Sequence, residues 1–272
     1  MASGNGTLQG KVVIVTGGGT GLGKMTALLM AKEGADVVVA ARRVGAIEQT
    51  AQEVRDIGPR ALAISTDVTD PSQVNNLVKR TIEEMGGLDV LVNNAGIVRG
   101  QARRPLWEVT DDEWRIGIDT NLSGTFYCCR AAIKHFVDQG HGKIINIASG
   151  NGMRGSRGDF MYGTAKAGVI NFTRVLATTF AQDNIQVNCI APGFVDVTQL
   201  QPEPRAGGMT RNAQYIPVGR FGVPEDIGHL ALFLASDASD YITGGLFPND
   251  GGGLAGGISP TGYAPVIAME EE

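Results

Sequence analysis

The sequence has few of the features that mark membrane, secreted or metal-binding proteins. No stretch approaches the roughly 18 uninterrupted apolar residues that a membrane-spanning helix needs. The first segment, MASGNGTLQGK, is polar and lacks an apolar signal core. Its 3 cysteines do not suggest a disulfide framework, and its 3 histidines show no metal-ligand spacing. These absences favour a cytoplasmic protein with no metal and no membrane partner.

Positive charge is also scarce, whereas glycine is abundant. The formal net charge is −5, so a broad nucleic-acid surface is not expected. Hydrophobic residues make up 43% and charged residues 19%, which is typical of a globular chain. The 39 glycines cluster at 17–23, 150–158 and 251–253. Such clusters indicate loops that bring the backbone close to another group.

Short β-branched runs alternate with longer helical patterns along the whole chain. Strands are predicted at 11–17, 35–41, 61–68, 88–96, 143–149 and 185–193, and helices at 21–33, 46–57, 71–85, 111–138, 160–182 and 224–236. This alternation indicates right-handed βαβ units and a doubly wound parallel α/β sheet with helices on both faces. We expect one domain over 1–272 with its core at about 8–252. Segment 197–218 is predicted to be a substrate lid and 253–272 a peripheral tail.

A glycine-rich turn, TGGGTGLG, follows the first strand and opens the first helix. Glycines there permit a tight turn and let a pyrophosphate approach the helix N-terminus, whose free N–H groups favour negative charge. A glycine-rich turn alone is weak evidence, because plain strand–helix turns also contain glycine. Its place at the start of a βαβαβ series favours a dinucleotide site.

The end of the second strand distinguishes between the two nicotinamide dinucleotides. NAD sites usually have an Asp or Glu there for the ribose hydroxyl, whereas an Arg can accommodate a 2′-phosphate. Here Arg42 and Arg43 follow the strand and no acid is available. NADP(H) is therefore favoured, NAD(H) remains possible, and the alternative is a pair of solvated arginines. Asp67 and Val68 close the third strand, the usual rim for the adenine ring, and NNAG closes the fourth, where small residues and side-chain amides could steady the ribose. Taken alone, each is more often ordinary strand-end turn chemistry.

Three polar residues are predicted at the carboxyl rim of the sheet, where ligands of open α/β folds bind. Ser149 ends the fifth strand, and Tyr162 and Lys166 lie one turn apart on the following helix. A free phenol has a pKa near ~10, so an adjacent ammonium that stabilises phenolate suits acid–base work on a carbonyl/alcohol pair. In isolation the Tyr–Lys pair would more often be an incidental feature of a solvated helix.

The motifs together resemble the short-chain dehydrogenase/reductase family over residues 8–252. The matching stretches, in family order, are TGGGTGLG, NNAG, the asparagine of DTNLSGTF, IINIAS, YGTAK and CIAPG, with RFGVPEDI and NDGG near the end. The resemblance implies a Rossmann-type fold and hydride transfer between NADP(H) and a ketone or secondary alcohol. It also implies a homotetramer or dimer, with the helices at 111–138 and 160–182 in an interface.

The resemblance also implies residue roles, position by position. Ser149 would polarise the substrate oxygen, Tyr162 would be the general acid or base, and Lys166 would lower the tyrosine pKa and bind the nicotinamide ribose. Asn121 would anchor a water of the proton relay. The implied cofactor contacts are Gly17, Thr20, Gly21, Leu22, Gly23, Arg42, Arg43, Asp67, Val68, Asn94, Gly96, Tyr162, Lys166, Pro192, Gly193, Val195 and Thr198. The family's usual carboxamide threonine is replaced by Val197, so this contact either shifts to Thr198 or is lost.

The substrate is not defined by the sequence. Its pocket is expected to involve Gly150, Asn151, Met153, Arg154 and the 197–218 segment. Four arginines could bind an anionic substrate group or could simply be solvated: Arg154, Arg157, Arg205 and Arg211. Positions where some relatives dock an acyl carrier protein read Gln139, Gly140 and Asp183, which does not favour that partner. An NAD-dependent alcohol dehydrogenase and a nucleotide-sensing protein without turnover are the alternatives.

Overall fold

A seven-stranded parallel sheet forms the centre of the chain. The computed structural model describes residues 6–97, 105–197, 213 and 216–256. The strands are β1 (Val12–Thr16), β2 (Asp36–Ala41), β3 (Ala61–Ser65), β4 (Val90–Asn93), β5 (Gly142–Ile147), β6 (Ile185–Pro192) and β7 (Leu246–Asn249). Every neighbouring pair is parallel, in the order β3-β2-β1-β4-β5-β6-β7. The strand order reverses between β1 and β4, which creates the crevice where such sheets bind ligands.

Over the described ranges, seven α-helices cover the two faces of this sheet. They are α1 (Gly21–Lys32), α2 (Val44–Ile57), α3 (Pro71–Met85), α4 (Asp111–Ile118), α5 (Gly124–Gln139), α6 (Tyr162–Phe180) and α7 (Pro224–Ala235). Successive side chains of one strand enter opposite core layers: Val13 and Val15 pack with α1, α2 and α7, while Ile14 packs with α3, α5 and α6. The predicted single-domain, doubly wound α/β fold is confirmed. Among the described helices, none is long and apolar enough to cross a membrane.

The helix bounds agree best with the predictions where capping residues punctuate the sequence. Helix α3 begins after Asp70, whose side chain accepts from the backbone N–H groups of Ser72 and Gln73, and Pro71 occupies its first position. It ends at Gly86, which adopts the left-handed conformation that glycine tolerates. These signals specified the range 71–85 without any tertiary information.

The predicted helix at 111–138 is present, and it contains a π-helical turn at Asp119–Ser123 between α4 and α5 that was not predicted. The side-chain amide of Asn121 donates to the carbonyls of Gly117 and Ile97, and its oxygen accepts from the Ile97 N–H. These bonds tie the turn to the segment after β4. The wider turn at this point is the kind of local departure that is frequent at functional sites.

The other differences between the predicted and observed elements concern the bounds of strands. The predicted third strand (61–68) stops at Ser65, because Asp67 folds the chain into a turn by accepting from the N–H and hydroxyl of Thr69. The predicted fourth and fifth strands likewise end early, at Asn93 and Ile147, so that Ser149 lies two residues beyond β5 rather than at its end. Strand β7 was not predicted, since it has four residues, one of them a proline.

Candidate active site

A cavity of about 500 Å³ opens at the carboxyl ends of the strands, on both sides of the β1–β4 crevice. Its wall is contributed by the loops after β1 to β6 and by the start of α6. The lining residues are Gly17, Gly19, Thr20, Leu22, Ala41, Arg42, Arg43, Ala46, Thr66, Asp67, Val68, Asn94, Ala95, Gly96, Ile97, Thr120, Ile147, Ala148, Ser149, Tyr162, Lys166, Pro192, Gly193, Val195 and Val197. The glycine loop and the predicted Ser–Tyr–Lys group therefore share one cavity.

The glycine loop adopts a conformation that requires glycine at Gly17 and Gly21, where φ is +67° and +57°. A Cβ on Gly17 would lie 2.8 Å from the Asn94 amide nitrogen and 2.9 Å from the Ala95 Cα. Gly23 is buried, and a Cβ there would collide with Asn94 and with the Gly17 carbonyl. Gly21 and Gly23 thus shape the loop but do not line the cavity.

Asn94 braces this loop from the neighbouring strand. Its amide nitrogen donates to the carbonyls of Thr16 (2.9 Å) and Gly17 (3.3 Å). The hydroxyl of Thr16 in turn accepts from the N–H groups of Asn94 (3.0 Å) and Ala95 (3.1 Å). The ends of β1 and β4 are therefore joined directly where a dinucleotide would cross them.

Two arginines line the end of the cavity near β2, away from the Ser–Tyr–Lys group near β5. Arg42 and Arg43 follow β2, which ends at Ala41. The Arg43 guanidinium donates to the Thr20 hydroxyl at 3.2 Å, and the Arg42 guanidinium lies 3.8 Å from the Asp67 carboxylate. Two cations next to the helix α1 N-terminus form an environment that favours an anionic group.

The Ser–Tyr–Lys group lies at the carboxyl ends of β4 and β5. The Ser149 hydroxyl accepts from the Asn151 N–H at 3.2 Å and lies near enough to the Tyr162 phenol to influence its pKa. Lys166 is buried, lies 5.7 Å from the centroid of the Tyr162 ring, and donates to the Ile147 carbonyl at 2.8 Å. The three polar groups that the sequence predicted to act together are within one continuous cluster.

Burial shifts both titratable groups of this cluster. Burial raises the pKa of Tyr162, the hydrogen bond with Ser149 lowers it, and the negative charge of Asp159 raises it. Burial also lowers the pKa of Lys166 to about 8. Lys166 is not one of the groups that shift the pKa of Tyr162 in the structure. The expected lowering of the tyrosine pKa by Lys166 therefore stays a prediction.

Asn121 stands behind the cavity and does not line it. It is buried in the π-helical turn, and its amide is engaged by Ile97 and Gly117. Its own carbonyl accepts from the Thr125 hydroxyl at 3.2 Å. Asn121 therefore holds together the segments that carry Ile97 and Thr120, both of which line the cavity.

Several predicted residues lie elsewhere or cannot be placed. Thr198, Arg205 and Arg211 lie outside the described residues, as do most of the predicted lid and tail. Val197 lines the cavity and would lie 3.7 Å from a Cβ on Gly21. Among the predicted substrate residues, Asn151 is held by Asp159, while Met153 is exposed and Arg154 half-buried on the same loop.

Sequence reasoning did not single out Asp159. Its carboxylate accepts from the Asn151 amide and from the Gly163 N–H, both at 2.9 Å. The available signal was an acid three residues before Tyr162, in a position to cap the first turn of the helix. Nothing in the sequence showed that the same carboxylate also bonds the loop after Ser149.

The cavity fits a nicotinamide dinucleotide. Its cradle is kept open at Gly17, Gly19 and Gly96, where a side chain would meet neighbouring atoms. A Cβ on Gly96 would lie 2.8 Å from the Asn121 side-chain oxygen and 3.4 Å from the Lys166 ammonium nitrogen. A cavity that spans the ends of β2 to β6, with a helix N-terminus, two cations and a Tyr–Lys pair, matches a phosphate-bearing cofactor with a reactive ring. Within the described residues, no cluster of His, Cys, Asp or Glu could hold a metal ion.

Comparison with known proteins shows the family. A sequence profile described as short chain dehydrogenase matches residues 11–207. The chain is 36% identical to a 3-oxoacyl-(acyl-carrier-protein) reductase of Thermotoga maritima, covering 90% of this chain and 98% of that relative. It is 40% identical to a cis-4-hydroxycyclohexanecarboxylate dehydrogenase of Sinomonas cyclohexanicum, covering 89% and 96%. A crystal structure of a short-chain type dehydrogenase/reductase from Mycobacterium marinum has a TM-score of 0.81 at 38% identity, covering 90% and 96%.

The chain therefore belongs to the short chain dehydrogenase family, and the family predicted from the motifs is confirmed. Members of this family are oxidoreductases that transfer hydride with a nicotinamide cofactor.

Proposed function

We propose that the chain is an NADP(H)-dependent oxidoreductase that interconverts a ketone and a secondary alcohol, with Tyr162 as the general acid or base. The observation that carries this proposal is the shared cavity, in which Ser149, Tyr162 and Lys166 lie at one end and the glycine loop and two arginines at the other. A dinucleotide crossing the crevice would bring its ring to the Ser–Tyr–Lys end.

The bound cofactor would supply or accept the hydride. Ser149 holds the substrate oxygen by a hydrogen bond, and Tyr162 gives its proton to that oxygen in reduction or takes it in oxidation. Lys166, whose ammonium is held by the Ile147 carbonyl, would bond the nicotinamide ribose and favour the phenolate. Asn121 keeps the π-helical turn in place and would anchor a water that passes the proton on.

NADP(H) is favoured over NAD(H) by the charges at the end of β2. Arg42 and Arg43 are the residues there, and Arg43 is already oriented by Thr20. A 2′-phosphate would receive charge-assisted hydrogen bonds from these guanidinium groups. The competing observation is the pairing of Arg42 with Asp67, which offsets part of its charge and keeps NAD(H) as the second candidate.

The substrate is proposed to be a small or medium-sized carbonyl compound. Two exposed apolar side chains follow segments that line the cavity: Phe194, which is 61% exposed, comes directly after Gly193, and Met153, which is 39% exposed, comes four residues after Ser149. Apolar side chains on these segments would suit a ring or acyl chain better than a free sugar. The two named relatives act on a 3-oxoacyl group and on a cyclic hydroxycarboxylate, which defines the classes to test first.

A homotetramer or dimer is proposed for the chain in solution. Helices α5 and α6 share a groove lined by Leu122, Phe126, Tyr127, Phe172 and Val175. Phe126 is 40% and Val175 is 50% exposed, so this face leaves apolar area in water. A second copy packing its own α5 and α6 on this groove would cover it, as in a symmetric interface.

The test is consumption of NADPH over a panel of ketones that includes 3-oxoacyl thioesters, cyclic ketones bearing a carboxylate, and small diketones. The Tyr162→Phe variant runs beside the chain, because it lacks only the phenolic hydroxyl. We expect consumption with at least one ketone class, and a loss of roughly 100-fold or more in the variant.

Binding of NADPH to the variant, followed by fluorescence, checks that the cofactor site is intact. Unchanged turnover in Tyr162→Phe would show that another group moves the proton. Cofactor binding without turnover on any ketone, or on the matching alcohols with NAD or NADP, would favour the nucleotide-sensing alternative.

A further inference from the structure

Asp159 lies where the two chain segments that carry the proposed catalytic groups meet. The loop after β5 carries Ser149, and α6 carries Tyr162 at its first residue. One carboxylate oxygen of Asp159 accepts from the Asn151 side chain in that loop, and the other accepts from the Gly163 N–H in the first turn of α6. A single side chain therefore bonds both segments.

The loop and the helix are also in close backbone contact. A Cβ on Gly152 would lie 2.7 Å from the Lys166 carbonyl carbon and 2.8 Å from the Ala167 nitrogen. A Cβ on Gly163 would lie 3.0 Å from the Asn151 carbonyl oxygen and 3.1 Å from an Asp159 carboxylate oxygen. This contact between the Ser149 loop and α6, the loop–helix joint, has little free space. A small displacement of Asp159 would therefore move Ser149 relative to Tyr162.

We propose that Asp159 is a positioning residue of the proposed active site, joining the Ser149 loop to the Tyr162 helix and setting a negative charge beside the phenol. This inference rests on the proposed function, because it concerns the same proton transfer. In the part of the chain that the structure describes, the charged groups that face Tyr162 are Asp159 from the preceding loop and Lys166 from α6 itself, and the neutral Ser149 hydroxyl is also nearby.

The charge of Asp159 has a defined consequence for proton transfer. A neighbouring carboxylate disfavours the phenolate, in agreement with its upward influence on the pKa of Tyr162. Burial is the larger influence, and the charge of Asp159 adds to it in keeping the phenol protonated, which suits its use as the acid in ketone reduction. The Asn151 and Gly163 donors spread part of this charge and limit the effect.

Two variants separate this role from a merely structural one. Asp159→Asn removes the charge and keeps the side-chain shape, so the pKa of Tyr162 should fall. Asn151→Ala removes one donor to the carboxylate and keeps the charge, so the pKa of Tyr162 should stay or rise. Both variants weaken the same joint, and a purely structural role would change the two pH profiles in the same direction.

The experiment measures kcat/KM against pH for alcohol oxidation, where activity rises as Tyr162 loses its proton. We expect the rise to move to lower pH in Asp159→Asn and not to do so in Asn151→Ala. Asp138→Asn is the matched control, because it removes one exposed carboxylate near the end of α5 and should leave the profile in place. An unmoved profile in Asp159→Asn, or an equal downward shift in both joint variants, would overturn the inference.

A second readout does not depend on turnover. The ultraviolet absorbance of tyrosinate is titrated in the chain and in Asp159→Asn, with a Tyr162→Phe background subtracted for each. A downward shift of the Tyr162 titration supports the inference even if no substrate is found. Turnover with an unshifted titration would leave the proposed function standing and would refute the role of Asp159.

Discussion

Burial acts in opposite directions on the two titratable groups at the centre of the site. It raises the pKa of Tyr162 and lowers that of Lys166 to about 8, so that both shifts favour the neutral form. A positive charge brought into this cavity would favour the phenolate. At the residue scale, the protonation states of the desolvated Tyr–Lys pair are therefore expected to depend on the charge of the group bound beside it, more than on either side chain alone.

Arg42 offers a prediction about the preference between the two cofactors. Arg42→Asp replaces a possible partner of the 2′-phosphate by a repelling carboxylate, while a ribose hydroxyl can still bond to it. We expect the Kd for NADPH to rise roughly 10- to 100-fold and the Kd for NADH to change much less. Fluorescence titration with each cofactor measures both constants.

Lys79→Asp is the control for this charge reversal, because Lys79 is an exposed residue of α3 whose nearest ionic partner, Glu83, lies one turn away. It should leave both constants nearly unchanged. Equal losses of NADPH and NADH affinity in Arg42→Asp would show that Arg42 does not distinguish the cofactors.

At the element scale, most of the fold could be predicted because strands and helices here carry strong local signals. Asp70, Pro71 and Gly86 define α3, and the β-branched runs define the first two strands. The π-helical turn depends on bonds from Asn121 to Ile97, a residue 24 positions away. No local pattern encodes such a contact, so the sequence predicted the helix without its π-helical turn.

The residues of the candidate site could likewise be predicted only in part. Ser149, Tyr162 and Lys166 are recognisable because their spacing along one strand end and one helix is fixed. Asp159 was missed because its two partners, Asn151 and Gly163, lie on different segments that only the fold brings together. Sequence motifs identify residues by their positions along the chain, whereas the contacts that join one segment to another need coordinates.

Gly152 provides a test of one such joint. In Gly152→Ala the new methyl group would meet the backbone of Lys166 and Ala167 at 2.7–2.9 Å, and a helix backbone cannot yield as a side chain does. We expect the free energy of unfolding to fall by about 1–3 kcal/mol and kcat to fall as the Ser149 loop moves from α6. Urea unfolding and steady-state kinetics measure the two effects.

Gly155→Ala is the matched control, because it lies three residues further along the same loop and a Cβ there has nothing within 4 Å. Its stability and kcat should stay close to those of the chain. If both alanine variants behave alike, the close packing of Gly152 on α6 does not hold the loop.

At the scale of the whole molecule, the layer formed by α5 and α6 leaves apolar side chains exposed. The α5–α6 groove presents Phe126 and Val175 to solvent, and Arg130 lies over the Phe126 ring at 5.1 Å. Since α6 begins at Tyr162, a partner copy on this groove would pack against the helix that carries the proposed catalytic residue. Assembly and activity are therefore expected to change together.

Val175→Glu tests this coupling. Val175 lines the groove, so a carboxylate there would have to be buried in the interface, and we expect the tetramer or dimer to dissociate. Light scattering coupled to size-exclusion chromatography gives the mass of the particle, and NADPH consumption gives the activity. Ile57→Glu, on the exposed end of α2, should leave the mass unchanged. A monomeric parent chain, or a Val175→Glu variant of unchanged mass, would contradict the proposed interface.

The brace between β1 and β4 has a consequence for how a dinucleotide is captured. Thr16 and Asn94 fix the glycine loop through four hydrogen bonds of 2.9–3.3 Å between the two strand ends. The conformational entropy of ordering that loop is therefore lost during folding and not at the moment of binding. Association with the cofactor then becomes a matter of diffusion and desolvation, and the chain can exchange spent for fresh cofactor without rebuilding its phosphate cradle in each cycle.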